Sequence, residues 1–173
     1  MVYNGIKVEQ KPIHVAKSGE SRRKEVKYMA KFTGTYYHTM DAKGRVFIPS
    51  KLRDNLGESF IITAGLDGCL YLATSERFEG FAEKLESLPM DEDSRTMQRY
   101  FLRYTTECEI DKQGRIVIPA NLKELAKLTK DVVFIGVSNK IELWDKERIE
   151  TENFDKSMNA IIEKVSKLHG LSF

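Results

Sequence analysis

Two arginines carry the most specific chemical signal in this sequence. Residues 41–54 read DAKGRVFIPSKLRD and residues 111–124 read DKQGRIVIPANLKE. At an offset of 70, Asp41/Asp111, Gly44/Gly114, Arg45/Arg115, Ile48/Ile118, Pro49/Pro119 and Leu52/Leu122 are identical. Arginine presents a planar fork of donors that suits a guanine edge or a phosphate. The plainer alternative is a surface arginine paired with its own turn aspartate, worth about 0–1 kcal/mol when exposed. The same arginine in both copies favours contact with nucleic acid, because stability rarely asks for Arg at the base of a turn. Asp41 and Asp111 read as turn organisers, since a carboxylate accepts backbone N–H groups but is repelled by phosphate. Gly44 and Gly114 supply the positive φ that such turns need. Lys43, Lys51 and Arg53 add positive charge in the first copy. The second copy has Gln113, Asn121 and Lys123 at those places, so the first is expected to be the main binding face. Arg95, Arg99 and Arg103 recur at i, i+4, i+8 and read as a solvated or subunit-contacting helix face.

Catalysis finds no support. Cys69, Cys108 and His38 lie in or beside apolar stretches, with no nucleophile–base pair legible near them. Three isolated histidines and two cysteines 39 positions apart offer no metal-ligand spacing and no disulfide framework, so neither metal nor cofactor is expected.

The elements that must position the arginines repeat as well. β-Formers precede each aspartate, over 35–40 and 105–110, so each Asp-x-x-Gly is expected to close a β-hairpin whose return strand is Arg45–Ile48 or Arg115–Ile118. Proline then stops the strand and starts a short helix, ending near Gly57 or Leu128. A second strand pair follows in each copy: Phe60–Ala64 with Leu70–Leu72, and Val132–Ile135 with Ile141–Trp144. The turns Asp67-Gly68 and Ser138-Asn139-Lys140 join them. Here FIITAGLDGCLYL (60–72) aligns with DVVFIGVSNKIEL (131–143) at an offset of 71. Two copies of one supersecondary unit are the economical explanation.

Between the copies, Phe78, Phe81, Ala82, Leu85 and Leu88 have helical spacing. Pro89 and the acidic run Asp91-Glu92-Asp93 are expected to break that helix, and a second is expected over 94–104. Phe154, Met158, Ile161, Ile162, Val165 and Leu168 mark a third amphipathic helix near the end of the chain.

Composition bounds the reading. The 173 residues are 41% hydrophobic and 31% charged, a globular balance. Apolar stretches such as Val132–Val137 are far shorter than the ~20 residues of a membrane span. The cysteine usage fits the reducing cytoplasm. Net charge is +2, but residues 1–31 hold eight Lys/Arg against three Asp/Glu. The remaining body is faintly acidic, so nucleic-acid binding must rest on local constellations. The expected divisions are a basic leader or arm at 1–31, a first repeat plus helix at 32–88, and a linker and helix at 89–104. A second repeat at 105–150 and a C-terminal amphipathic helix at 151–173 follow.

The doubled Asp-x-x-x-Arg motif, each with an apolar strand and a proline behind it, resembles the MraZ family of the AbrB-like, swapped-hairpin group. GLDGCL (65–70), TECEIDKQGRIVIP (106–119) and VVFIGVSNKIELWDKER (132–148) agree with it. The resemblance covers about residues 32–155. It implies an α+β fold, with two tandem hairpin/helix repeats forming a pseudo-dimeric double-split β-barrel. It also implies a transcriptional regulator that binds repeated double-stranded DNA sites upstream of its own division and cell-wall operon. Such a regulator is a ring-like homo-oligomer in the nucleoid, and the family's motif positions fall on Arg45, Arg115, Asp41 and Asp111. Residues 29–34 (MAKFTG) resemble the usual family start, so residues 1–28 are expected to be a leader or a phosphate-binding arm. The rival reading is an AbrB-like antitoxin-type module whose tail, 145–173, binds a protein partner.

Overall fold

The computed structural model describes residues 31–151 and 154–169. The first copy runs β1 (Phe32–Thr39), β2 (Arg45–Phe47), α1 (Ser50–Leu56), β3 (Ser59–Ala64) and β4 (Leu70–Ala73). Two helices follow, α2 (Ser75–Glu86) and α3 (Glu92–Arg103). The second copy repeats the order as β5 (Thr106–Glu109), β6 (Arg115–Val117), α4 (Ala120–Leu125), β7 (Asp131–Ser138) and β8 (Lys140–Asp145). Helices α5 (Lys146–Thr151) and α6 (Phe154–His169) end the described chain.

The expected hairpins across Asp41–Gly44 and Asp111–Gly114 do not form as strand pairs. β1 leaves its own copy and pairs antiparallel with β7, while β5 pairs with β3. β2 crosses to β6, so the two motif strands pair with each other. The physical reason is burial. Val46 and Ile116 are each 1% exposed, and their apolar faces close over one shared core. That core takes Leu52, Phe60, Ile62 and Leu70 from the first copy and Leu122, Val132, Phe134 and Ile141 from the second.

The six-stranded antiparallel sheet has the order β1-β7-β8-β4-β3-β5 and is open, with β1 and β5 as edges. The β2–β6 ribbon is separate, so the described strands make no closed barrel. The expected inner strand pairs do form, β3 with β4 and β7 with β8. Asp67 and Gly68 both take positive φ, +59° and +85°, the backbone that suits a tight hairpin turn.

The expected break between the middle helices falls over 87–91, around Pro89, but the end of the acidic run belongs to α3. Asp91 caps it, accepting the Ser94 backbone N–H at 2.8 Å, and Glu92 and Asp93 lie in the positive first turn. The apolar face of α2 packs against α3 and the sheet. Leu85 is buried, and half-buried Phe81 packs edge-on against Phe101 of α3 at 5.0 Å between ring centroids. The α2–α3 pair sits on β3, where Thr63 donates to the Phe101 carbonyl and receives the Thr105 hydroxyl. On α6, Ile161, Ile162 and Leu168 are exposed. The expectations for residues 1–30 lie outside the described residues. Among the described residues, no helix is long and apolar enough to cross a membrane.

Candidate nucleic-acid interface

Each Asp-x-x-Gly-Arg turn is fixed by its own aspartate. Asp41 Oδ1 accepts the backbone N–H groups of Lys43 and Arg45, both at 2.9 Å. Its Oδ2 accepts Arg45 Nε at 2.6 Å. Asp111 repeats this with Gln113 N, Arg115 N and Arg115 Nε, each at 2.9 Å. The backbone closes both turns, Gly44 N donating to the Asp41 carbonyl at 2.9 Å and Gly114 N to that of Asp111 at 2.8 Å. The glycines take φ of +77° and +82°. Backbone N–H donation from the arginine, then from its side chain and the third turn residue, holds both aspartyl pKa values below the ordinary carboxylate value, despite some desolvation. The carboxylates therefore stay ionised and aim the guanidinium groups. The same bonds that organise each turn also fix the direction of its guanidinium.

The ribbon brings the two arginines onto one surface. Register pairs Arg45 with Val117, Val46 with Ile116 and Phe47 with Arg115. Alternation sends Val46 and Ile116 inward and leaves Arg45, Phe47, Arg115 and Val117 facing out. Two further bonds lock the ribbon ends across copies, Ile48 N to the Gly114 carbonyl at 3.0 Å and Ile118 N to the Gly44 carbonyl at 2.9 Å.

The other basic residues distribute differently from the sequence expectation. Arg53 does not enrich the first turn. Its guanidinium lies directly over Gly114 of the second, where any Cβ would collide with Nη1. Its counterpart Lys123 crosses the other way and lies against Gly44, 3.8 Å from Nζ to the position of a Cβ. Lys123 is thus a candidate contact that sequence reading assigned to the wrong turn; only the crossing of β2 and β6 could reveal it. Lys43 is exposed on the first turn, and Lys51 is exposed on α1. The first turn remains the more basic, but for another reason. The cleft beside the second turn is lined by Asp54, Glu58 and Glu109 as well as Arg53 and Lys112. The cleft beside the first carries Lys123 and Lys130, with Asp41 as its acidic member.

The other residues singled out in the sequence make local contacts or are partly buried. Arg95 donates to the Met90 carbonyl, and Arg99 to Thr96 Oγ1 at 3.1 Å, so that helix face is engaged locally. Burial pushes the Cys69 thiol up to about 12 and the Cys108 thiol up to about 11, which leaves both protonated and unreactive at neutral pH. Sequence reading missed one polar clamp. Buried Asp145 accepts Thr129 N at 2.9 Å and Thr129 Oγ1 at 2.6 Å, together with the N–H groups of Glu147 and Arg148. Arg148 then donates to the Gly68 carbonyl at 2.8 Å and to that of Ala126 at 3.2 Å, tying α5 to the β3–β4 turn. Among the described residues, no cluster of His, Cys, Asp or Glu could hold a metal ion.

Fold and site together define a tandem-repeat protein whose two copies exchange strands and present twinned, aspartate-fixed arginines on one ribbon. The family model for the MraZ protein, whose description also carries the term "antitoxin-like", matches residues 31–100 and again 101–161. Transcriptional regulator MraZ of Lachnoclostridium phytofermentans is 51% identical over 142 residues, covering 82% of this chain and 99% of the relative. The proteins of the same name from Thermoanaerobacter sp. (strain X514) and Acetivibrio thermocellus are each 51% identical, covering 79% of this chain and 97% and 98% of theirs. The chain belongs to the MraZ family. Those relatives are regulators of transcription by name, not enzymes.

Proposed function

We propose that this chain is a sequence-specific DNA-binding transcriptional regulator that reads double-stranded DNA with the β2–β6 ribbon. The observation that carries this is the placement of Arg45 and Arg115 on the outward face of one two-stranded ribbon, each guanidinium aimed by an ionised aspartate. A two-stranded ribbon fits the major groove, and an arginine fork there matches guanine O6 and N7. In this reading the interleaved repeats form the pseudo-dimeric double-split arrangement of the AbrB-like group, with repeats at 32–88 and 105–150.

The DNA would be repeated sites upstream of the chain's own division and cell-wall operon, and the protein would act at the nucleoid in the cytoplasm. A single ribbon offers few phosphate contacts on a body of modest charge, so affinity is supplied by a ring-like homo-oligomer whose neighbouring subunits engage neighbouring repeats. Linked weak sites gain about 10²–10⁴ in this way. Exposed Ile161 and Ile162 of α6, with Met97 and Leu102 of α3, are the apolar surfaces available for head-to-tail contacts. The same exposed α6 face favours one second reading, an antitoxin-type module that clasps a protein partner.

A mobility-shift series on the upstream DNA, with circular dichroism to confirm folding, tests the proposal. The Arg45→Ala, Arg115→Ala double variant should fold and lose binding. Unchanged affinity and specificity in that folded variant would reject the ribbon as the reading surface. Removal of residues 152–173 should lower the native mass; a loss of partner binding with DNA binding intact would favour the antitoxin-type reading.

A further inference from the structure

The ribbon's outward face holds more than the two arginines. Phe47, 49% exposed, and Val117, 57% exposed, take the other two outward positions, one beside each arginine across the strands. A single exposed apolar side chain is ordinary. These two, however, occupy equivalent positions of the two copies and are cross-strand partners of the arginines themselves, Phe47 opposite Arg115 and Val117 opposite Arg45. The Arg115 guanidinium carbon lies 5.9 Å from the centre of the Phe47 ring, which steadies both groups. Basic side chains close the face at both ends, Lys43 and Lys123 at one and Arg53 at the other. A face on which arginines alternate with apolar side chains complements a polyanion whose recessed surface is partly apolar.

We propose, building on the DNA-binding reading above, that Phe47 and Val117 are specificity-determining residues that contact thymine 5-methyl groups in the major groove. The methyl is the apolar feature that the groove presents, and phenyl or branched aliphatic groups are its usual contacts. Spacing agrees. Residues i and i+2 of a strand are about 7 Å apart, close to two nucleotide rises of about 3.4 Å each. Arg45 and Phe47 therefore address bases about two steps apart on one strand, and Arg115 and Val117 do the same in the opposite sense. The expected site is a guanine and a thymine about two steps apart, repeated with approximate two-fold symmetry. Because Phe47 and Val117 differ in size, the two halves of the site need not be equally selective.

The experiment uses the full chain and a pool of random-sequence duplexes, from which wild type is allowed to select its site. The selected duplex is then remade with deoxyuridine for each thymine in turn, which removes the methyl and leaves the base pair. Wild type should lose about fourfold in affinity at one thymine in each half-site, the equivalent of one buried methylene of ~0.8 kcal/mol. Phe47→Ser should bind the thymine and deoxyuridine duplexes equally at one of those positions, and Val117→Ser at the other. The deoxyuridine series in wild type does not depend on either variant folding. Equal binding of thymine and deoxyuridine duplexes throughout, with Arg45→Ala still abolishing binding, would overturn the inference and leave the DNA-binding reading standing. A Phe47→Ser protein of altered native mass and unchanged thymine preference would overturn it in favour of a contact between copies of this chain. Absence of any selected sequence would sink both.

Discussion

At the scale of single residues, Asp41 and Asp111 aim Arg45 and Arg115, the groups proposed to meet DNA. Arg45→Ala should cost about 1–3 kcal/mol of DNA binding per engaged subunit and relax sequence preference. Arg115→Ala should cost less, because the carboxylates of Asp54, Glu58 and Glu109 surround its turn. Lys123→Ala should weaken binding to all sequences and reduce the logarithmic salt slope by about 1, as loss of one phosphate contact does. A salt titration that leaves this slope unchanged would remove Lys123 from the interface. The aspartates should show themselves through acid. Their folded pKa values lie below the ordinary carboxylate value, so their stabilisation is complete above that value and is lost as pH falls through the lowered one. Thermal unfolding from pH 7 to pH 3 should therefore show an acid decline that is shallower in Asp41→Ala, Asp111→Ala. For Asp145, burial raises the carboxyl pKa but bonds from Thr129, Arg148 and Glu147 outweigh it, so the sign is the same. Asp145→Asn should lose about 1.5–3 kcal/mol of stability at pH 7, the worth of hydrogen bonds to a charged group.

At the scale of elements, three glycines distinguish backbone need from packing need. Gly114 has positive φ, and a Cβ there would have to push aside the end of the Arg53 side chain. Gly114→Ala should destabilise by about 1–3 kcal/mol, and it should impair DNA binding by displacing Arg53. Gly136 of β7 packs against the β1 backbone at Thr33, so a side chain there should pry the exchanged strand loose. Gly80 of α2 has open space around it. Gly80→Ala should stabilise by about 0.5–1 kcal/mol, since Gly costs that much more conformational entropy than Ala within a helix. Chemical denaturation of the three variants checks the order, and a stabilised Gly114→Ala would refute the account of the turn.

At the scale of the whole molecule, the copies are repeats in sequence but not independent folding units. β1 needs β7, β5 needs β3, and β2 needs β6. Fragments 31–100 and 101–169 should each fail to fold as monomers and should recover the native circular dichroism spectrum as a 1:1 complex when mixed. A stable monomeric fragment, seen by light scattering, would contradict the shared core.

Sequence alone determined the local chemistry. It determined the two Asp-x-x-Gly-Arg turns, the strand stops at Pro49 and Pro119, the paired inner strands, and the helices between the copies and at the end of the chain. Each depends on residues within a few positions of one another. Family membership was legible for the same reason, since its motifs are short and doubled. The tertiary structure alone decided which strand each motif strand meets. Antiparallel pairing is set by what can be buried, and Val46 and Ile116 bury each other only when both copies contribute to one core. That choice carried Arg53 to the second turn and Lys123 to the first, and set Val117 beside Arg45 and Phe47 beside Arg115. Nothing in the spacing encodes such contacts, because they join residues about 70 positions apart whose pairing only the shared core enforces.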